Sequence, residues 1–396
     1  MNKSCLSGKA TEEGTRALAE RYGVERYRRL GRSGLWVSQA GFGSYRVDAA
    51  VAAHKEALRA ALRSGVNLID TSANYADGGS ERLIGEVLTE LAYTGEVRRD
   101  EVVLVSKAGY LQNSNLRLRQ ERQQAGKDFS EVVSYAPTLE HCIHPDFLEE
   151  QLECSLQRLQ LTCLDGFLLH NPEYYLLWAL QQGGAVAAAR AEYVRRLKQA
   201  FSWLEKTARQ GRIAWYGISS NTFPRPAGDP QRTPLDEVWQ AACSDSGAEH
   251  HFGFIQFPCN LLEPAAAMLP AWPQERTLLE YAAALDLGVL INRPLNAIQE
   301  GDLIRLDEDV YDAEGRAAAR RFYEDAAKLN SSWGEAPHLR HLALRALRSA
   351  QGVSAILVGM RRTAYVADVL AELERKPPES SDRETWMRVK ALRART

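Results

Sequence analysis

The sequence predicts an α/β protein: a closed (β/α)8 barrel with an N-terminal hairpin and long loops on its C-terminal face. Three observations predict it. Short apolar strands alternate with amphipathic helices along most of the chain, the pattern of a parallel sheet whose strands are joined through helices. Eight strand–helix units can be counted, over about 340 residues, a length that suits one barrel. The stretches that interrupt the alternation all follow strands, where a barrel gathers its functional loops.

Taken in order, residues 1–26 read as a variable leader with room for one short helix. Tyr27–Gly31 and Leu35–Ser38 flank Arg32-Ser33-Gly34, so a hairpin precedes the barrel. The first barrel strand is expected near Val37–Gly43, then a helix over Val51–Ser64, a strand over Val66–Asp70 and a helix over Ser80–Leu91. The β-branched run Glu101–Lys107 is the third strand. Pro145–Leu159 suits a helix, since proline fits the first helical turn. Leu164–His170 is the fourth strand, and the helix Arg190–Gln210 stops at Gly211. Strands over Ile213–Ser219, Phe252–Phe257, Gly288–Asn292 and Ser354–Val358 complete the set, with helices over Leu235–Cys243, Thr277–Asp286, Leu339–Ala350 and Ala364–Glu374. Residues 27–375 are therefore expected to form the barrel, and the charged tail 376–396 either packs as a helix or stays mobile.

Three insertions, 108–142, 171–189 and 293–334, are expected over the C-terminal face. The first carries Arg117, Arg119, Arg122 and Lys127, which read as a solvated, mobile loop or as a grip for an anionic substrate. The rival architecture, an open doubly wound sheet, normally carries GxGxxG after its first strand. The nearest string, Gly41-Phe42-Gly43-Ser44-Tyr45-Arg46, lacks the third glycine.

Composition narrows the partners. The chain has 396 residues, 45% hydrophobic and 25% charged, ordinary for a folded domain. A formal net charge of −2 argues against a nucleic-acid binder and leaves small molecules. The six cysteines form no CxxC pair and read as free thiols of a reducing compartment. The N-terminus lacks the apolar core of a secretory signal, and no run approaches the roughly 18 apolar residues of a membrane span. A cytoplasmic location without a membrane partner is expected. His141, Cys142 and His144 lack further ligands at metal-binding spacing, so no metal is expected.

The chemistry lies at strand ends. Asp70 ends the second strand, Tyr75 lies just beyond it, Lys107 ends the third and His170 the fourth. Neighbouring barrel strands bring these four together. Singly, each has an ordinary reading as a turn cap, a packed aromatic, a solvated charge or a structural histidine. Together they form a proton-transfer set. A carbonyl that accepts a hydride builds negative charge on oxygen and needs a proton. A free tyrosine, with a pKa of about 10, is a weak donor at neutrality. A lysine beside it lowers that pKa, and an aspartate keeps the lysine charged. A histidine can hold the substrate oxygen. The hydride must come from a cofactor.

These segments resemble the aldo-keto reductase superfamily. Gly65–Tyr75 followed by Gly79-Ser80-Glu81 and Gly85, then Val105-Ser106-Lys107, then Phe167–His170, are similar in order and separation to three motifs of that family, and similarity is traceable from about Tyr27 to Leu373. The resemblance implies a barrel, NADPH as the usual cofactor, Tyr75 as general acid, Asp70 and Lys107 as its tuning pair, and His170 as the residue that orients substrate.

It also implies a cofactor groove. Gly43, Ser44 and Tyr45 match the strand end that approaches the nicotinamide, with Asp70 beside it. In Gly217-Ile218-Ser219-Ser220-Asn221, either Ser219-Ser220 or Ser220-Asn221 holds the carboxamide, with Gln256. Asn292, Arg293, Pro294 and Leu295 stand where many members stack an aromatic residue, so no stack is expected. Gly359 is retained near the eighth strand. Arg361 or Arg362 replaces the usual lysine and either grips the 2′-phosphate or is a solvated helix start. Tyr365 and Asp368 fall at adenosine-facing positions. The expected activity is reversible reduction of an aldehyde or ketone. Oxidation of a sugar or hydroxy compound, or a cofactor-sensing binding subunit, are the alternatives. Tyr174, Tyr175 and Trp178 suit a ring-binding pocket and core packing equally.

Overall fold

A computed structural model of the chain describes residues 5–247, 249–299 and 302–393. Eight parallel strands close into a barrel in sequence order: β1 (Ala40–Gly43), β2 (Leu68–Asp70), β3 (Val103–Ala108), β4 (Leu164–His170), β5 (Ile213–Ser219), β6 (Phe252–Pro258), β7 (Gly288–Asn292) and β8 (Ala355–Val358). The principal outer helices are α1 (Ala52–Arg63), α2 (Gly79–Tyr93), α3 (Pro145–Leu159), α4 (Val186–Arg209), α5 (Leu235–Ser246), α6 (Leu278–Ala284), α7 (Leu339–Ser349) and α8 (Thr363–Leu373). Local chemistry sets their ends. Thr277 and Glu280 form a reciprocal capping box at the start of α6, and His144 accepts the Asp146 N–H ahead of Pro145 in α3.

Side chains alternate across a strand, so each barrel strand faces two cores. Leu68, Val103, Val105, Leu168, Phe254, Leu290 and Leu357 pack together in the interior, while Ile69, Leu104, Leu169, Ile255 and Ile291 pack outward against the helices. The same parity decides where the functional groups point. Asp70 is two residues beyond Leu68, Lys107 two beyond Val105, His170 two beyond Leu168, Gln256 two beyond Phe254 and Asn292 two beyond Leu290. All five are carried onto the interior face at the C-terminal mouth.

The opposite end is plugged. Tyr27–Arg29 and Trp36–Ser38 pair as an antiparallel hairpin, and Leu30, Leu35 and Val37 join the interior core. The expected first strand is therefore divided: Trp36–Ser38 belongs to the hairpin and Ala40–Gly43 to the barrel. The leader contains a helix, Glu12–Tyr22, capped by Thr11, and Ala10 donates its N–H to Asp165 beneath the barrel. The tail carries a helix, Arg383–Arg393, whose Trp386 and Val389 are buried.

The insertions are folded. Residues 108–142 hold a three-stranded sheet (Tyr110–Leu111, Leu139–His141, Val133–Ala136) and the helix Ser114–Gln124, with a small core of Leu111, Phe129, Cys142 and Phe147. This corrects the reading of its arginines as mobile. Arg119 is paired with Asp128 and Glu140, and Arg122 with Glu150 over the Phe129 ring. The insertion after β7 carries the hairpin Asn296–Gln299/Asp302–Arg305 and the helix Ala313–Ala327. Among the described residues no helix is long and apolar enough to cross a membrane, and no group of three or more metal-ligating side chains occurs. All six cysteines are unbridged.

Candidate active site

The mouth of the barrel is organised around one buried ion pair. Lys107 Nζ lies 2.8 Å from each Asp70 carboxylate oxygen and also donates to the Thr71 carbonyl at 2.6 Å. Gln256 Nε2 donates to Asp70 Oδ1 at 2.7 Å, and Ser219 Oγ donates to Gln256 Oε1 at 2.9 Å. Three consecutive steps, Ser219 to Gln256 to Asp70 to Lys107, thus link strands β5, β6, β2 and β3. Burial pushes the Asp70 carboxyl up and the Lys107 ammonium down, and their mutual attraction opposes both shifts.

Tyr75 stands beside this pair. Lys107 Nζ is 5.0 Å from its ring centroid, the His170 ring 5.9 Å and the Tyr45 ring 5.3 Å, both rings edge-on. The loop that carries it is strained: Ala76 and Asp77 both adopt positive φ (48° and 52°). Asp77 is tied down by the Ser114 hydroxyl at 2.5 Å, at the head of the insertion helix. The phenol behaves against expectation. Its pKa is raised well above the ordinary value by burial, with the Asp70 charge second. Desolvation dominates, the Asp70 charge adds to it, and Tyr75 is held protonated.

His170 is enclosed. Ser72 Oγ is 2.9 Å from its Nδ1, the Tyr110 ring packs edge-on at 4.6 Å, and His141 Nε2 donates to its carbonyl at 2.7 Å. Asn171 Nδ2 donates to the Tyr110 hydroxyl at 2.5 Å. Gly109 makes this packing possible: a Cβ there would lie 2.5 Å from the His170 carbonyl oxygen and 2.7 Å from His141 Nε2. Burial first, and the Lys107 charge second, hold the imidazole neutral by lowering its pKa well below the usual value.

The remaining predicted residues separate into groups. Ser44 is buried, its hydroxyl donating inward to the Asp70 carbonyl at 2.8 Å, whereas Tyr45 is 67% exposed at the rim. Ser219 joins the Gln256 network, but Ser220 turns away to Thr222 and Thr233. Asn221 donates its backbone N–H to Glu173 Oε1 at 2.8 Å. At the end of β7, Asn292 Oδ1 and Arg293 Nε are buried without a hydrogen-bond partner among the described residues, Arg293 has φ 51°, and its guanidinium reaches Glu263 at 3.4 Å. Pro294 is buried and Leu295 half-buried beside them. Open space surrounds the Gly359 Cβ direction. Arg361 and Arg362 precede the N-terminus of α8, and the Arg362 guanidinium lies over the exposed Tyr365 ring at 5.9 Å. The Asp368 carboxylate pairs with Arg340 at 2.8 Å and His341 at 2.9 Å.

The family model for the aldo/keto reductase family matches residues 40–384. The chain belongs to the aldo/keto reductase family. This family member is 27% identical over 253 residues to a methylglyoxal reductase of Escherichia coli, a match covering 61% of this chain and 63% of that enzyme, so under two thirds of the relative's length. It is 25% identical over 266 residues to a D-threo-aldose 1-dehydrogenase of a Pseudomonas species, covering 66% and 68% of the two chains. An aldo/keto reductase of Klebsiella pneumoniae, whose structure holds NADP and acetate, shares the fold with a TM-score of 0.53 at 20% identity, over 93% of this chain and 95% of that one.

Ser72, Tyr110 and His141 are the site residues that sequence reasoning did not single out for this role. Ser72 lies within the Asp70–Tyr75 motif, so its position was the available signal. Tyr110 and His141 sit in strands of two and three residues, too short to show a period.

Proposed function

We propose that this aldo/keto reductase is an NADP(H)-dependent oxidoreductase that interconverts a carbonyl and an alcohol on a small molecule, with Tyr75 as the proton donor. The observation that carries this reading is the convergence of Tyr75, His170 and the Asp70–Lys107 pair on one enclosed mouth. Features of the groove fit the cofactor. The unpartnered Asn292 Oδ1 and Arg293 Nε, the open space at Gly359 and the helix terminus behind Arg361 are polar or cationic positions suited to an amide and phosphates. Ser219 and Gln256 would hold the carboxamide. Asn292, Arg293, Pro294 and Leu295 would flank the dinucleotide, and Arg361 would meet the 2′-phosphate. When bound, NADPH supplies the hydride.

The chain's own residues do the rest. Tyr75, held protonated by burial, delivers its O–H proton to the substrate oxygen as charge builds there. Lys107, held by Asp70 and the Thr71 carbonyl, sets a positive charge beside the phenol and stabilises the phenolate left behind. The Asp70–Gln256–Ser219 chain keeps that lysine fixed. His170 receives the reacting oxygen opposite Tyr75. In oxidation, the phenolate takes the alcohol proton back. Fluorescence titration with NADPH and NADH tests the reading: tight NADPH binding with weak NADH binding is expected, and binding of neither would overturn it.

A further inference from the structure

We propose that the floor of the barrel carries a second small-molecule site, separate from the mouth, in which Arg28 takes the phosphate group of an organic phosphomonoester. This site stands whether or not the oxidoreductase reading holds.

The N-terminal hairpin does not fill the whole floor. A cavity of about 400 Å³ remains between the strand Tyr27–Arg29, the chain that follows α6, the turn that joins α7 to β8, and the tail at Pro378. That volume falls within the range of small-molecule pockets. All of these segments lie at the end of the barrel opposite Tyr75 and His170.

Arg28 lines the cavity and lacks a counter-charge. Its Nη1 donates to the Val353 carbonyl at 2.7 Å, and its Nη2 donates to the Arg348 carbonyl. Both partners are neutral, and no carboxylate pairs with Arg28 among the described residues. Its neighbours leave no negative charge to spare. Glu372 is shared by Arg348 at 2.8 Å, Arg345 at 3.2 Å and Arg375 at 3.8 Å. Arg348 Nη2 is buried without a hydrogen-bond partner among the described residues. Burial first, and the Arg348 charge second, push the Arg28 pKa down to about 10. The guanidinium is therefore still charged at neutrality, and charges removed from water call for a partner of opposite sign. Its two carbonyl bonds use two of its five N–H donors.

The turn in the facing wall adds neutral donors. The backbone N–H groups of Gln351 and Gly352 make no hydrogen bond among the described residues. Gly352 fixes the turn: its φ is 86°, and a Cβ there would lie 2.8 Å from the Leu279 carbonyl oxygen. A guanidinium together with unpaired backbone N–H groups is a donor set suited to phosphate. Ala283, Leu287 and Pro378 make another part of the lining apolar. Inorganic phosphate leaves that part uncovered, whereas the organic body of an ester covers it. One acid, Asp286, also lines the cavity and makes no ion pair among the described residues. It opposes an anion, so its removal acts in the opposite direction to the removal of Arg28.

The test is isothermal titration calorimetry of the full chain with phenyl phosphate at neutral pH. One phenyl phosphate is expected to bind per chain. Arg28→Gln should weaken it about 10- to 100-fold, the scale of a lost hydrogen bond to a charged group. Asp286→Asn should tighten it about two- to fivefold, the scale of one partly exposed charge. Inorganic phosphate should bind more weakly than the ester, and one equivalent of NADPH should leave the ester's affinity unchanged. Absence of binding at millimolar phenyl phosphate, displacement by one equivalent of NADPH, or an unchanged affinity in Arg28→Gln overturns the site. Equal affinity for inorganic phosphate overturns the organic ligand. Where Arg28→Gln fails to fold, Asp286→Asn decides: an affinity that does not rise overturns the proposal.

Discussion

Two buried carboxylates on barrel strands, Asp165 and Asp70, each face a cation, one near either end, and they are built differently. Asp165, near the floor, accepts the Ala10 N–H at 2.6 Å, the Leu104 N–H at 2.8 Å and Arg99 Nη2 at 2.8 Å. Two of its three partners are backbone. Asp70, at the mouth, is held by the side chains of Lys107 and Gln256, which in turn reach Tyr75 and Ser219. A carboxylate saturated by main chain pins segments together; it fastens the N-terminal arm and β3 to the foot of β4. A carboxylate held by side chains passes its charge to other groups. The difference teaches that burial and pairing do not by themselves mark a catalytic residue. Under the proposed mechanism, the identity of the partners does.

The sharpest way to break this comparison is at the mouth. Tyr75→Phe should lower kcat about 10³-fold, within the range general acids supply, while circular dichroism and the NADPH dissociation constant stay at wild-type values. Retained turnover would remove Tyr75 from the mechanism. At the floor, Asp165→Ala leaves two N–H groups unanswered and removes the counter-charge of the Arg99 guanidinium, which keeps only the Val102 and Cys163 carbonyls. It should cost about 3–5 kcal/mol of stability, read from urea midpoints, with kcat of the folded fraction within about twofold of wild type. A large fall in kcat would show that the floor pair is coupled to the chemistry.

Acid sharpens the comparison further. Burial lowers the pKa of His141 from 6.5 to about 4, so the folded state resists a proton that the unfolded state accepts. The associated stability is complete above pH 6.5 and is lost as pH falls toward 4, by about 3 kcal/mol. His250, near the floor, is lowered to about 4 in the same direction by burial and Arg32. Urea midpoints between pH 7 and pH 4 should fall, and His141→Gln should flatten only the share that belongs to the mouth. The smallest expected effect is at the groove. Arg361→Ala should weaken NADPH binding about tenfold, roughly 1.4 kcal/mol, and leave NADH binding unchanged in the same fluorescence titration.

Much of this was legible in the sequence for one physical reason: a two-residue period followed by a chemical exception at the strand's end. Leu68-Ile69-Asp70, Val105-Ser106-Lys107 and Leu168-Leu169-His170 each state both an interior face and the group that terminates it. What escaped depends on contacts that no local pattern encodes. The direction of the Tyr75 shift follows from burial, with the Asp70 charge second. The turning of Ser220 away from Gln256 follows from Thr233, thirteen residues on. The order in the 108–142 insertion comes from pairing among very short strands and from ion pairs whose partners lie as far away as Arg195 and Arg196.

The way that insertion braces His170 bears on how such an enzyme can diverge. Loops above a barrel are usually the exchangeable part, replaced to admit new substrates while the strands keep the chemistry. Here Gly109, Tyr110 and His141 tie the loop to the back of His170. Under the proposed mechanism, transplanting a relative's loop would carry away the supports of His170, so a change of substrate loop would also disturb the residue that receives the substrate oxygen.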